Sequence, residues 1–332
     1  MTLLDGHSRL HRDLRISLTD RCSLRCTYCM PAEGVPWLPA PTLLTTDEVV
    51  RLAGVAVDLG VDEIRLTGGE PLLRPDVVDV VARLAALRLP DLPRGPEISL
   101  TTNALRLGAL ARPLAEAGLR RVNVSLDTLR RDRFTTLTRR DGLADVRAGL
   151  AAADAAGLAP IKLNAVLMRG VNDDEAVELV RFASRHGYEM RFIEQMPLDA
   201  GHTWSRAQMV TAAEILRSLD SAFELTPAAR PTSAPAESWL VDGGPATVGV
   251  IASVTRPFCG ACDRVRLTAD GQLRSCLFAR TETDLRTLLR RGADDDEVAA
   301  AMRHCLARKL PGHGIDEPAF LQPDRPMSAI GG

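Results

Sequence analysis

The sequence has 332 residues, 45% of them hydrophobic, which supports one large core or two smaller ones and excludes a disordered chain. Its 41 Lys and Arg against 43 Asp and Glu leave a formal charge of -2, which excludes a general attraction for nucleic acid or an anionic membrane but permits a local basic pocket. The basic first twenty residues carry no long apolar run of the kind a secretory leader needs, and no later stretch is apolar for the length of a membrane span. An odd set of 7 clustered cysteines favours metal ligation in a reducing compartment over disulfides, so the expectation is a cytoplasmic protein.

The pattern predicts a strand over 13–19, DLRISLT, which delivers its end to Cys22, Cys26 and Cys29 in a C-x3-C-x2-C arrangement. Three soft thiolates can ligate three irons of a four-iron cluster and leave the fourth open to a substrate. The competing reading is three buried thiols, or a zinc knuckle without the fourth protein ligand that structural zinc takes. A helix is predicted over 46–59, then a strand over 62–70 that ends in a glycine turn. Gly68 and Gly69 there permit close approach of a ligand, and Glu70 can accept a hydrogen bond from an ammonium.

Predicted helices at 75–87, 106–117, 141–156 and 172–186 alternate with the strand candidates EISLTTN, RRVNVSLD, PIKLNAVLM and EMRFIEQM. Thr102, Asn103, Ser125, Asp127, Asn164 and Glu194 fall near the strand ends, where parallel α/β barrels carry their chemistry. Six such strands suggest an open or partial barrel, and a doubly wound sheet is the other arrangement the alternation permits.

Past residue 200 the rhythm changes. Residues 226–245 read as a surface loop, 247–254 as a strand, 263–276 as a hairpin turning at Asp270-Gly271, and 281–290 and 295–309 as helices. The expected division is a barrel over 1–225 and a region over 226–332 that packs across it. Cys259, Cys262 and Cys276 again supply three thiolates, with zinc completed by His304, His313 or Cys305 as the alternative. Arg15, Arg65, Lys162, Arg191, Arg264 and Arg266 lie on or beside the strand candidates. Lys162, one of only two lysines, sits in an apolar run and needs a counter-charge that a phosphate can supply.

CSLRCTYC, GGEP, LTTNA, VNVSLD, KLNAV, RFIEQMP, FCGACDRVRLTADGQLRSCL and the terminal Gly331-Gly332 together resemble the GTP 3',8-cyclase family of molybdenum cofactor biosynthesis, in the radical S-adenosylmethionine superfamily. The resemblance covers nearly the full chain. It implies an incomplete TIM-type (βα)6 barrel closed by a C-terminal α+β region. It also implies two [4Fe-4S] clusters, one on Cys22, Cys26 and Cys29 and one on Cys259, Cys262 and Cys276. S-adenosylmethionine would bind at the first, beside Tyr28, Gly68, Gly69, Glu70, Ser125 and Met196. GTP would bind at the second, held by Arg15, Arg65, Thr101, Thr102, Lys162, Arg191, Arg264 and Arg266. The resemblance further implies that Arg264 and Arg266 act after the radical step, and that Gly331 and Gly332 reach into the active site.

The partners so implied are an external electron donor and cyclic pyranopterin monophosphate synthase as the receiver of the product. No nucleic acid or membrane partner is expected, and homodimerisation is left open. Two other functions compete: a radical peptide-modifying enzyme with an auxiliary cluster, and an iron–sulfur electron carrier or nucleotide-binding module. The carrier or module needs neither GGEP nor the basic strand residues.

Overall fold

The computed structural model describes residues 2–90, 93–229, 233–318 and 320–331. Strands β1 (Asp13–Ser17), β2 (Glu63–Thr67), β3 (Glu97–Thr102), β4 (Arg121–Ser125), β5 (Ile161–Val166) and β6 (Glu189–Ile193) pair in chain order, all parallel. They alternate with helices α1 (Thr46–Asp58), α2 (Val77–Ala85), α3 (Leu107–Glu116), α4 (Arg131–Thr138), α5 (Leu143–Ala155) and α6 (Ala176–Arg185). The order never reverses, so there is no switch point of the doubly wound kind; this is a partial barrel.

The strand period explains why one sequence serves core and site together. Leu14, Ile16, Ile64, Leu66, Ile98, Leu100, Val122, Val124 and Leu163 are buried in the main core. The alternate residues Arg15, Arg65, Thr101, Asn123, Asn164 and Arg191 line the cavity inside the barrel. Helices answer with their own period: α1 buries Val49, Leu52, Ala53 and Ala56 and starts at a capping box between Thr45 and Glu48. Each fully buried Leu or Val contributes roughly 1.5–3 kcal/mol.

The remaining elements are α7 (Ala212–Asp220), β7 (Leu225–Pro227), β8 (Glu237–Val241), β9 (Thr247–Ile251), β10 (Arg264–Leu267), β11 (Gln272–Arg274), β12 (Thr283–Asp284), α8 (Leu285–Arg290), α9 (Asp295–Ala307) and α10 (Met327–Ile330). Here the structure departs from the sequence expectation. β9 adds to β6 and β10 adds to β1, both parallel, so strands after residue 226 extend the barrel sheet at its two sides. The stretch 226–245 is not all loop, because β8 pairs antiparallel with β9. Helices α4, α7 and α10 were not expected. The described sheet runs β12-β11-β10-β1-β2-β3-β4-β5-β6-β9-β8-β7 and ends at two edges, which leaves the barrel incomplete. Among the described residues no helix is long and apolar enough to cross a membrane.

Candidate active site

A cavity of about 340 Å³ opens inside the barrel, and all six cysteines of the two triads line it. Cys22, Cys26 and Cys29 sit on the loop after β1. The backbone N–H groups of Cys29 and Met30 both donate to the Cys26 carbonyl at 2.9 Å and curl the loop. Gly69 N–H donates to Thr19 O and Glu70 N–H to Arg21 O, each at 2.8 Å, which fixes that loop against the GGEP turn.

The two glycines are required by this contact. Gly68 has φ +149°, a Cβ on it would stand 2.5 Å from the Thr19 carbonyl oxygen, and one on Gly69 would stand 2.5 Å from that of Asp20. What approaches the glycines is therefore the chain's own cysteine loop, although both also line the cavity.

Glu70 is engaged within the protein. Its carboxylate is 1% exposed and accepts from Leu72 N–H at 3.0 Å, the Thr102 hydroxyl at 2.7 Å and Asn103 N–H at 2.7 Å. With three of its roughly four acceptor sites spent in this way, it ties the turn to the end of β3. Asn103, placed by that bond, donates from Nδ2 to Cys22 Sγ at 3.9 Å, and Leu24 N–H donates to the same sulfur at 3.4 Å. The Tyr28 hydroxyl donates to Asp127 at 2.8 Å, and burial pushes the Asp127 carboxyl up to about 6. Thr101, Thr102, Ser125 and Met196 join Tyr28 on the wall.

Burial pushes the thiols of Cys22 and Cys26 up and that of Cys29 to about 12, with the neighbouring thiols adding to the effect on Cys26 and Cys29. A bound cation offsets such a penalty. Among the described residues no three His, Cys, Asp or Glu side chains converge at single-ion spacing. Three soft thiolates on one cavity wall are the donor type that iron–sulfur clusters use, whereas structural zinc takes four protein ligands.

The second triad comes from the turn before β10, which holds Cys259 and Cys262, and from Cys276 just past β11. None of the expected zinc partners completes it. His313 donates from Nε2 to Ser253 O at 3.0 Å and accepts Ile315 N–H on Nδ1 at 3.2 Å, so both ring nitrogens are engaged. His304 is exposed on α9, and Cys305 is buried in the main core with its sulfur toward Leu273 O. Cys262 is held below its ordinary value: burial raises it, but the charges of Arg264 and Lys309 outweigh this. Lys309 Nζ lies 3.6 Å from Cys262 Sγ, a contact the sequence reading missed; the signal was the rarity of lysine in this chain.

Arg266, Arg15 and Arg65 occupy one level of the neighbouring strands β10, β1 and β2, about 4.8 Å apart, with Arg264 one level away beside Asp13. Burial and the adjacent guanidinium groups push Arg15 down to about 10 and Arg266 to about 9, with Asp13 opposing in part. Asp13 stands 3.5 Å from Arg15 and Asp263 stands 3.7 Å from Arg264. The Nε atoms of Arg15, Arg65 and Arg264 are buried without a hydrogen-bond partner. With Arg191, five guanidinium groups line one cavity, a charge arrangement chemically suited to a polyanion.

Lys162 already has a counter-charge within the protein. Its counter-charge is Glu189, at 2.9 Å, which also takes Arg191 at 2.6 Å; Arg191 lines the cavity and Lys162 does not. A neighbouring strand supplied what a local pattern could not show. At the chain end, Arg266 donates to the Gly331 carbonyl at 2.5 Å, and Ile330 packs with Leu198 and Phe278. Gly332 lies outside the described residues.

Residues 16–183 match the Radical SAM superfamily and 188–315 match Molybdenum Cofactor Synthesis C. The fold is shared with Streptococcus suis SuiB, 16% identical with a TM-score of 0.60 over 90% of this chain and 69% of that one. Fold, cysteine loop and family match together define a member of the radical SAM superfamily. GTP 3',8-cyclase of Streptomyces coelicolor is 62% identical over 99% of this chain and 96% of its own length. That of Mycolicibacterium smegmatis is 58% identical over 99% and 92%, and GTP 3',8-cyclase 2 of Mycobacterium tuberculosis 57% over 99% and 92%. The chain belongs to the GTP 3',8-cyclase family.

Proposed function

We propose that this chain is a GTP 3',8-cyclase, a radical S-adenosylmethionine lyase that converts GTP to (8S)-3',8-cyclo-7,8-dihydroguanosine 5'-triphosphate in the first step of molybdenum cofactor biosynthesis. S-Adenosylmethionine, two electrons from an external donor and a proton are consumed, and methionine and 5'-deoxyadenosine leave. The observation that carries this reading is the shared cavity: two three-cysteine groups and five arginines face the same space.

Cys22, Cys26 and Cys29 would hold one [4Fe-4S] cluster, and Cys259, Cys262 and Cys276 the other. When bound, the first supplies the electron that cleaves S-adenosylmethionine to a radical able to take the ribose C3' hydrogen. The protein's task is then placement and exclusion of water rather than acid–base chemistry. Gly69, Tyr28, Ser125 and Met196 would flank S-adenosylmethionine, with Glu70 acting through the turn it braces. Arg15, Arg65, Arg264 and Arg266 would grip the triphosphate, with Thr101 and Thr102 beside it. Arg191 and Lys162 would contribute as phosphate competes with Glu189 for them. Gly331, and with it Gly332, would hold Arg266 in position for the steps after hydrogen abstraction. The product would pass to cyclic pyranopterin monophosphate synthase.

Anaerobic reconstitution followed by reductant, S-adenosylmethionine and C3'-deuterated GTP tests this. Deuterium is expected in 5'-deoxyadenosine; cleavage of S-adenosylmethionine without deuterium transfer would remove GTP C3' as the site of attack.

A further inference from the structure

We propose that Lys309 is a positioning residue for the Cys259, Cys262 and Cys276 centre, donating an N–H···S hydrogen bond to Cys262 that secures the cluster and raises its reduction potential. This rests on the reading that those cysteines ligate a cluster. Lys309 is 5% exposed, and Nζ donates to the Arg264 carbonyl at 2.8 Å and to Cys262 Sγ at 3.6 Å. A buried ammonium is costly without an anionic partner. Among the described residues no carboxylate pairs with it, and Cys262 Sγ, which becomes anionic as a cluster ligand, is the group within its reach.

The lysine is held in place by a second cation. Arg9 donates to Leu310 O at 2.7 Å and to Pro311 O at 2.9 Å, just past Lys309, while the same guanidinium donates to Cys259 O at 2.7 Å. Asp5 fixes the Arg9 Nε from the other side at 2.6 Å. The two ends of the C-x2-C turn are thus gripped by different cations, Cys259 through its backbone and Cys262 through its sulfur. Neither Arg9 nor Lys309 lines the cavity, so both act through the cluster loop and not on substrate.

The first triad is built differently. Among the described residues the hydrogen-bond donors to Cys22 Sγ are neutral, Leu24 N–H and Asn103 Nδ2. A charged donor stabilises the extra electron of a reduced cluster more than a neutral one does, so the second centre carries the upward bias in potential.

The test uses the full chain with Cys22, Cys26 and Cys29 changed to Ala, which leaves the second centre alone. In that background, Lys309→Met and Lys309→Arg are compared with the parent by iron and sulfide content, by iron release to a chelator, and by potentiometric titration followed by electron paramagnetic resonance. The Met variant is expected to lose iron about tenfold faster and to titrate at a more negative potential, with the Arg variant between. Equal release and equal potential in all three would overturn the role. If the Met variant takes up no cluster, an Arg variant that loads supports the role, and failure of both alike overturns it in favour of packing. A parent that takes up no cluster would instead overturn the assignment of the three cysteines.

Discussion

The guanidinium of Arg266, on β10, donates to the carbonyl oxygen of Gly331 at 2.5 Å, so the end of the chain is tied to the row of arginines inside the barrel. Gly331 has φ +92°, and a Cβ there would meet Thr67 Oγ1 at 2.6 Å and Ser17 Cβ at 2.9 Å. The Gly331→Ala variant is expected to lower turnover by about 100-fold through displacement of Arg266. Its melting temperature should fall as well, since positive φ and the close contacts together cost more than about 1 kcal/mol. Steady-state kinetics beside thermal unfolding separate the two effects, and a C-terminal tag should act in the same direction.

Arg65 is buried with its Nε unpartnered, set between the attraction of Asp13 and the repulsion of other arginines, so its removal is near neutral in the free protein and costs affinity for a polyanion. Arg65→Met is expected to weaken GTP binding by roughly 30-fold, about 2 kcal/mol for a charge-assisted contact, without loss of thermal stability. Calorimetric titration of the reconstituted protein with GTP measures it.

Glu189 holds two cations at once, Lys162 and Arg191. Glu189→Gln leaves both half-buried without a counter-charge and should cost about 2 kcal/mol, read from urea unfolding. Added GTP should recover part of that loss, because the triphosphate supplies the missing negative charge.

Gly69→Ala would drive a Cβ to 2.5 Å from the Asp20 carbonyl, two residues before Cys22. Iron content after reconstitution should fall toward that of a single cluster, with the second triad still loaded. Iron analysis of this variant combined with Cys262→Ala should then approach zero.

Burial and the Lys309 charge hold His11 down at about 4, while hydrogen bonds from the Arg9 backbone and side chain and from His7 overcome burial and hold Asp5 at about 2. Neutral His11 contributes stability that is full above pH 6.5 and is lost as pH falls toward 4, on the order of 3 kcal/mol. The Asp5 contribution is present above 3.8 and is lost as pH falls toward 2. Melting temperatures of the cluster-free protein should therefore fall from pH 7 to pH 4, and less steeply in His11→Phe.

The sequence determined the parts whose information is local. The strand and helix periods placed β1 to β6, and the spacing of Cys22, Cys26 and Cys29 announced a site with three thiolates before any contact was known. Tertiary structure decided the rest, because pairing between distant segments leaves no local period. It put β9 and β10 on the two sides of the barrel sheet, so that the second triad faces the first across one cavity. It gave Lys162 a carboxylate partner on the next strand, turned Glu70 into a hydrogen-bonded brace, and brought Lys309 to a cysteine sulfur 47 residues away. Each of these is a buried charge or polar group, and what satisfies it depends on which strands and segments come together in space.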